Sequence, residues 1–168
     1  MKRAKIYLLL GSNIGDKEKL ICDAQHLIHK RIGEIVAESS LYLTEAWGFD
    51  SDEMFLNKAI AVESELDAFD ILDIIQEIEI LLGRTSKTAD TYQSRTIDID
   101  ILFYDDKIIE TQRLIIPHPH IQDRLFTLLP LAEIAPDFIH PKLQKTITDL
   151  LCHCTDNKKV IRLRVESL

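Results

Sequence analysis

Glycine and proline divide this 168-residue chain into two parts with different folding possibilities. All five glycines, from Gly11 to Gly83, lie in the first half, and all five prolines lie between Pro117 and Pro141. Proline removes a backbone donor and fixes φ, so residues 117–141 cannot form one long helix or strand. This part of the chain is therefore expected to hold only short elements.

Hydrophobic spacing predicts alternating strands and helices before the prolines. Short apolar or alternating segments predict strands at residues 6–10, 35–43, 57–66, 97–104 and 107–109. Helical spacing follows Asp16 and Asp67, which can each cap a helix, and Gly83 ends the second helix. Two later helices are predicted at about 123–133 and 146–151. The order of elements predicts an α+β fold with a ferredoxin-like βαββαβ layer, extra C-terminal helices and mobile loops over the site.

Length and charge limit the classes of protein to which the chain can belong. A chain of 168 residues that is 46% hydrophobic and 29% charged can bury a core as one domain, and we find no internal repeat, so residues 1–168 are treated as a single domain. The formal net charge of -8 repels phosphate backbones and anionic lipid surfaces at long range. We therefore expect neither nucleic acid nor a membrane as a partner.

The cysteines and the N-terminus predict a reducing, cytoplasmic location. The three cysteines are an odd count without the spacing of a disulfide framework. Lys2–Lys5 precedes only five apolar residues, too few for the core of a signal peptide. Cys152 to Cys154 could be combined with His118 and His120 as a zinc site. The pairs lack the usual zinc-ligand spacing, however, which favours solvent-facing or packing roles.

The most informative segment for chemistry runs from Arg95 to Phe103. On a strand, alternate side chains share a face, so Asp98 and Asp100 stand together while the isoleucines between and around them point into the core. The two Cα atoms are then about 6.5 to 7 Å apart. Carboxylates at this spacing repel one another unless a cation lies between them, and their hard oxygen atoms suit Mg²⁺. The alternatives are a half-exposed strand with solvated acids, or the D-x-D motif of a sugar-nucleotide transferase.

Residues 84–96 contain almost nothing to bury, which predicts a long mobile loop with Arg84 and Arg95 at its two ends. A lid that carries guanidinium groups onto a polyphosphate is a recognised device of phosphoryl transfer. The alternative is that both arginines pair with surface acids, and spacing alone favours it.

Several polar and aromatic residues near strand ends are candidates for binding a small molecule. The turn from Gly11 to Asp16 lacks the features of a P-loop or a dinucleotide fingerprint, but it can present Asn13 to a ligand. Phe55 and Asn57 can hold a flat heterocycle by stacking and by edge hydrogen bonds. Such aromatic residues are more often part of a core.

Together these segments resemble the family of 6-hydroxymethyl-7,8-dihydropterin pyrophosphokinase, which acts in the folate pathway. The resemblance covers residues 5 to about 141 and depends on the order of many motifs. These motifs are Gly-Ser-Asn at 11–13, Thr-Glu-Ala-Trp-Gly at 44–48, Phe-Leu-Asn at 55–57, the segments 79–84 and 95–103, Ile-Pro-His-Pro at 116–119, Arg124, Phe126 and the segment 130–136.

The resemblance implies transfer of pyrophosphate from ATP to the hydroxymethyl oxygen of the pterin, leaving AMP. It implies that Asp98 and Asp100 hold two Mg²⁺ ions with ATP, and that Arg84 and Arg95 assist the transfer. The positions that match the pterin pocket are Asn13, Thr44, Phe55, Asn57 and Phe126. Those that match the nucleotide side are Gln76, Glu79, His118 and Arg124, with the two loop arginines. We expect a monomer whose partners are the small-molecule substrates ATP and the pterin.

The chain departs from the family pattern in the loop before Arg95. Thr91, Tyr92 and Gln93 stand where a basic residue and an aromatic followed by Gly or Ala are common, and Ser86 stands where some relatives carry a second arginine. These changes bear on loop geometry and turnover rate. Two rival functions are a non-catalytic ferredoxin-like domain that binds a metabolite, and a D-x-D nucleotidyl- or glycosyl-transferase.

Overall fold

The computed structural model describes residues 2–44, 54–83 and 97–163. The predicted loop 84–96 and the Trp-Gly pair at 47–48 lie outside these residues. In chain order the elements are β1 (Ala4–Ser12), α1 (Lys17–Arg31), β2 (Glu34–Glu38), β3 (Leu41–Thr44), β4 (Phe55–Ser64), α2 (Ala68–Leu81), β5 (Asp98–Tyr104), β6 (Ile109–Glu110), β7 (Ile115–Ile116), a 3₁₀ turn (Ile121–Asp123), α3 (Leu125–Ile134), α4 (Ile147–Cys152) and β8 (Val160–Leu163).

One antiparallel sheet organises the described residues. Its strand order is β5-β1-β4-β3-β8, and β2 pairs with the far end of β4. If β2 and β3 are taken as one interrupted strand, the order and pairing are those of a βαββαβ layer. The mixed α+β fold and its ferredoxin-like order are therefore as predicted.

The predicted strand 35–43 is two strands, β2 and β3, and serine chemistry explains the break. Ser39 donates its backbone N–H to the Ala59 carbonyl, and its Oγ accepts the Ala59 N–H, both at 2.9 Å. The Ser39 hydroxyl thus accepts the hydrogen bond that a backbone carbonyl accepts in a regular pair of strands. Serine competes for backbone hydrogen bonds in this way more readily than the apolar residues around it.

The sheet is buried on both faces, which explains why β1 is almost continuously apolar. On one face Leu8 and Ile60 are fully buried among residues of α1 and α2. On the other face Ala59 and Phe103 are fully buried with Leu128 of α3 and residues of α4. At about 25 cal/mol per Å² of apolar surface, both layers contribute to folding, and the second layer also positions α3.

The predicted helix ends are confirmed. The Asp16 side chain accepts from the Lys19 N–H at 3.2 Å, and the Asp67 side chain accepts from the Asp70 N–H at 2.9 Å. Gly83 has a φ of +112°, a conformation that favours glycine and ends α2.

In the C-terminal part the helix predicted at about 123–133 is confirmed as α3, which carries Pro130 in its interior, and a 3₁₀ turn that was not predicted precedes it. Two strands differ from the prediction. The short strand expected at 107–109 lies at Ile109–Glu110 and pairs with β7. Strand β8 was not predicted, because four residues become a strand only against the edge that β3 offers.

Glu133 connects α3 to the sheet by hydrogen bonds. Its carboxylate accepts hydrogen bonds from the Ser40 N–H and the Tyr42 hydroxyl, each at 2.7 Å. Burial and the Glu133 carboxylate together raise the pKa of Tyr42 to about 12.

In the ranges 2–44, 54–83 and 97–163, no helix has both the length and the apolar character needed to cross a membrane.

Candidate active site

A cleft of about 740 Å³ opens where β1 ends and where β4 and β5 begin. The last residues of β1 and the first residues of β4 and β5 lie side by side at one end of the sheet, because neighbouring strands run antiparallel. Gly11 is paired with Asn57 on one side and with Asp98 on the other. Arg124 and Phe126 at the start of α3, and the segment Thr155–Lys158, also line the cleft. The strand ends therefore set the spacing between its polar groups.

Asp98 and Asp100 both line the cleft, as the alternation along β5 predicts. The isoleucines at 97, 99 and 101 are 0%, 5% and 6% exposed on the opposite face of the sheet. Asp98 lies beside Gly11, and Asp100 lies beside Leu9, which also lines the cleft. The predicted sharing of one face by the two carboxylates is confirmed.

The carboxylate of Glu79 holds the backbone between the two aspartates. Its Oε2 accepts from the Ile99 N–H at 3.0 Å, and the residue is 4% exposed. A buried carboxylate hydrogen-bonded to the backbone between Asp98 and Asp100 restrains the strand at that point. Glu79 thus contacts the backbone of β5 and is not among the residues that line the cleft.

The donor set fits Mg²⁺ only in part. Two carboxylates on one face offer hard oxygen ligands. Among residues 2–44, 54–83 and 97–163, no group of three His, Cys, Asp or Glu side chains is placed to hold a metal ion. An octahedral ion at Asp98 and Asp100 must therefore complete its ligands with water or with phosphate oxygens of a substrate.

Two aromatic rings and two buried polar side chains form another part of the cleft. Phe55 and Phe126 line it together with Thr44 and Asn57, which are 3% and 5% exposed. Thr44 Oγ1 is buried and finds no hydrogen-bond partner among the described residues. Unsatisfied buried polar atoms are rare, so this hydroxyl is suited to a ligand that brings a partner.

Asn57 lies against Gly11, and this contact requires a glycine. A Cβ at position 11 would lie 2.7 Å from Asn57 Oδ1. Real Cβ atoms do not approach so closely, so any larger residue displaces the amide. The absence of a side chain at Gly11 therefore allows Asn57 its position in the cleft.

Arg124 and His118 lie near one another on the α3 side. The Arg124 guanidinium carbon is 5.4 Å from the centroid of the Phe126 ring. Burial, and after it the charges of Arg124 and His120, lower the pKa of His118 to about 4. His118 Nδ1 accepts from the His120 N–H at 3.2 Å, which assigns the ring proton to Nε2. His118 is therefore a neutral donor at physiological pH.

The depressed pKa of His118 predicts a dependence of stability on pH. Because the folded-state pKa lies below the usual 6.5, the stabilisation is complete above pH 6.5 and is lost as pH falls towards 4. Between pH 7.5 and 5, the free energy of unfolding should fall by about 1 kcal/mol more in the parent than in His118→Gln, after allowance for partial solvent screening. Urea denaturation at both pH values measures this difference. Equal losses in the two proteins would show that His118 is not the group responsible.

The model of the 7,8-dihydro-6-hydroxymethylpterin-pyrophosphokinase (HPPK) family matches residues 7–136. The chain belongs to the HPPK family. It is 43% identical over 141 residues to the 2-amino-4-hydroxy-6-hydroxymethyldihydropteridine pyrophosphokinase of Porphyromonas gingivalis, covering 83% of this chain and 95% of that protein. It is 43% identical over 129 residues to the Bacillus subtilis protein of the same name, covering 76% of each chain.

Solved structures support the HPPK fold. A crystal structure of Plasmodium falciparum HPPK-DHPS with pteroate has a TM-score of 0.74 and 20% sequence identity, and the match covers 90% of this chain. This chain spans 42% of the length of that one. At this level of identity the likeness concerns the fold alone.

The structure brings together seven of the residues that the HPPK resemblance implied. These are Thr44, Phe55, Asn57, Asp98, Asp100, Arg124 and Phe126. Four others do not line the cleft: Gln76 is exposed on α2, Glu79 is bonded to the backbone of β5, and Asn13 and His118 lie outside the lining. Asn13 Oδ1 is buried without a hydrogen-bond partner among the described residues. Arg84 and Arg95 lie outside the described residues, as do Ser86, Thr91, Tyr92 and Gln93.

Sequence reasoning did not identify Asp123 or the segment Thr155–Lys158, which also line the cleft. The segment follows α4 and lies beyond the part of the chain that matches the HPPK family. It is polar and short, and no local pattern distinguishes it from an ordinary surface connection. Its place in the site depends on the pairing of β8 with β3.

Proposed function

We infer that the chain transfers pyrophosphate from ATP to 6-hydroxymethyl-7,8-dihydropterin, giving AMP and the pterin diphosphate, in folate biosynthesis. The family match over residues 7–136 is the observation that carries this conclusion. The cleft agrees with it, since Asp98 and Asp100 lie in one cavity with the rings of Phe55 and Phe126. A site for this reaction needs both a polyphosphate-binding end and a stacking pocket.

Product analysis tests this function directly. The protein is mixed with ATP, Mg²⁺ and the reduced pterin, and AMP and pterin diphosphate are expected in equal amounts, with no AMP when the pterin is left out. Release of pyrophosphate or a nucleoside diphosphate would indicate one of the rival transferases. Pterin binding without turnover would indicate a binding domain.

We propose that Asp98 and Asp100 hold two Mg²⁺ ions together with the phosphates of ATP. Their shared face and their position in the cleft support this assignment. When bound, the ions would offset phosphate charge and lower the proton affinity of the attacking hydroxymethyl oxygen. Glu79 keeps the strand between the aspartates in place through Ile99. Arg84 and Arg95 are proposed to bring positive charge to the transferred group, as the family resemblance implies.

The pterin is proposed to bind between Phe55 and Phe126. Stacking on two aromatic rings suits a flat heterocycle. Asn57 can both donate to and accept from the edge of the pterin, and the buried hydroxyl of Thr44, which has no partner in the described part of the chain, offers a further hydrogen bond. Asn13 belongs to this half of the site by resemblance. Its buried side-chain oxygen meets no hydrogen-bond donor within residues 2–44, 54–83 and 97–163, which supports a ligand contact.

The nucleotide is proposed to lie on the side of Arg124. Its guanidinium lines the cleft and supplies a cation for phosphate oxygens. His118 is proposed to act as a neutral hydrogen-bond donor there, because its pKa of about 4 keeps the ring uncharged. Gln76 and Glu79 belong to this side by resemblance.

Asn57→Ala is expected to weaken pterin binding selectively. Without the Asn57 amide, the hydrogen-bond donor and acceptor on the edge of the pterin are buried without partners. This should cost about 1 to 3 kcal/mol of pterin binding free energy. ATP affinity should hardly change, since no phosphate contact is lost. Calorimetry with each ligand measures the two effects, and equal losses for both would contradict the assignment of Asn57.

Gly11→Ala is expected to reproduce part of the Asn57→Ala effect. The added Cβ would lie 2.7 Å from Asn57 Oδ1, so the amide must rotate or move away. Pterin affinity should fall about tenfold, equivalent to about 1.4 kcal/mol. In the Asn57→Ala background the same substitution should have little further effect, because the clash is absent. Full additivity of the two losses would show that Gly11 acts by another route.

Two properties outside the site remain predictions. We propose that the protein is a monomer and that it acts in the cytoplasm. Light scattering coupled to gel filtration measures the first property, and fractionation of the source cells measures the second. A dimer would show that a second copy must be considered in any description of the cleft.

A further inference from the structure

The start of helix α3 is capped by a side chain from a distant part of the chain. Arg124 occupies the N-cap position, and its side chain makes no capping hydrogen bond. The Leu125 N–H instead donates to Asp156 Oδ2 at 3.0 Å. A carboxylate at a helix N-terminus satisfies a free donor and interacts favourably with the helix dipole.

The same carboxylate orders its own segment. Asp156 Oδ1 accepts from the Lys158 N–H at 3.0 Å, so both oxygens of the side chain are used. Immediately afterwards the chain enters β8, which pairs with β3 so that Val160 lies beside Thr44. The segment Thr155–Lys158 therefore connects the start of α3 to the end of β3.

Both ends of this connection carry groups assigned to the pterin. Phe126 is the second residue of α3, one position beyond the N–H that Asp156 accepts. Thr44 is the last residue of β3. All four residues of Thr155–Lys158 line the same cleft as these two side chains. A segment outside the part that matches the HPPK family thus connects the two elements that carry Thr44 and Phe126.

We propose that Asp156 is a positioning residue for pterin binding, and that Thr155–Lys158 is a fixed wall of the pterin half of the cleft. This inference rests on the proposed function. Asp156 makes its contribution through the backbone of α3, by holding the ring of Phe126 at stacking distance from the heterocycle. Stacking is sensitive to small displacements of a ring, whereas a flexible guanidinium such as that of Arg124 can follow a phosphate.

Three variants separate the hydrogen bond from the charge and from general stability. Asp156→Ala removes both acceptors and the charge. Asp156→Asn removes the charge and keeps one carbonyl acceptor, which can serve the Leu125 N–H or the Lys158 N–H but not both. Asp137→Ala removes an exposed acid beyond the other end of α3. Dissociation constants for the pterin and for ATP are measured well below the thermal midpoint of each protein. Exchange of the Leu125 amide hydrogen is followed in the same samples.

Asp156→Ala should raise the pterin dissociation constant about tenfold and speed exchange at Leu125, with less than about a threefold change for ATP. Asp156→Asn should lose less affinity than Asp156→Ala, because its carbonyl oxygen can still accept from the Leu125 N–H. Asp137→Ala should stay within about twofold of the parent. If Asp156→Asn keeps the slow exchange at Leu125 but loses as much pterin affinity as Asp156→Ala, the effect belongs to charge or to the Lys158 contact, and the proposal is overturned. A parent-like Asp156→Ala protein would also overturn it.

Two further results keep the proposal separate from the proposed function. If Asp156→Ala does not fold, Asp156→Glu takes its place, because the longer carboxylate must shift the start of α3. An unchanged pterin constant in a folded Asp156→Glu protein would then count against the positioning role. A parent protein that fails to bind the pterin would overturn the proposed function itself. A parent that binds the pterin, with Asp156 variants whose pterin dissociation constants are unchanged, would overturn only the inference.

Discussion

Replacing Asp98 or Asp100 with alanine is expected to lower kcat by about two to four orders of magnitude. A bound metal ion supplies several kcal/mol of charge stabilisation in the transition state, and each 1.36 kcal/mol corresponds to a tenfold change in rate. The effect should fall mainly on kcat, because most of the charge to be stabilised develops during transfer. Steady-state kinetics with saturating ATP and pterin measure it.

Magnesium dependence provides the second measurement for this pair. Two carboxylates supply too few ligands for octahedral Mg²⁺, so the site should bind metal weakly until ATP adds its phosphate oxygens. Activity of the parent should therefore rise with free Mg²⁺ beyond the amount that forms MgATP. Asp106→Ala, which removes an exposed acid just after β5, is the matched control and should be unaffected. Saturation at one ion per ATP, or near-normal turnover of Asp98→Ala, would contradict the two-metal assignment.

Replacing Arg84 or Arg95 with alanine is expected to lower kcat about a hundredfold and to weaken ground-state binding much less. A preorganised donor aimed at developing charge is worth about 10²- to 10³-fold in rate. The resemblance assigns both arginines to the transferred phosphates, where they act most strongly in the transition state. Single-turnover kinetics give the rate of transfer, and titration with a non-hydrolysable ATP analogue gives the binding.

Arg3→Ala is the control for these arginine variants. Arg3 is paired with Glu34 at the start of β1, whereas the cleft lies at the other end of that strand. The control should retain full turnover and a normal affinity for nucleotide. An Arg84→Ala or Arg95→Ala protein with the kinetics of the control would remove that arginine from the mechanism.

Local signals predicted the parts of the fold whose causes are local. Asp16 and Asp67 cap helices because each carboxylate needs only an N–H three residues ahead. The division of the strand at Ser39 depends instead on Ala59, twenty residues away. Strand β8 likewise requires the edge of β3, and no pattern within four residues contains that information.

The candidate site also combines features with local causes and features that depend on contacts between distant residues. The common face of Asp98 and Asp100 follows from the two-residue period of a strand, so it was predictable. The contact between Gly11 and Asn57 depends on the register of β1 against β4. The cap that Asp156 gives to Leu125 joins residues 31 positions apart. Such contacts arise only when the sheet has formed, and the sequence carries no periodic sign of them.

The two faces of β4 differ in the size of their side chains, and this difference reaches the cleft. Ala59 and Ala61 are fully buried beneath α3, whereas Ile60 and Val62 fill the opposite layer. Side chains of one methyl group allow α3 to approach the sheet closely, since interiors are packed without spare volume. A larger residue at either alanine would lift the helix and carry Phe126 outward. The width of the binding pocket is thus set partly by two methyl groups in the core, and substrate affinity can be retuned through residues that never touch a substrate.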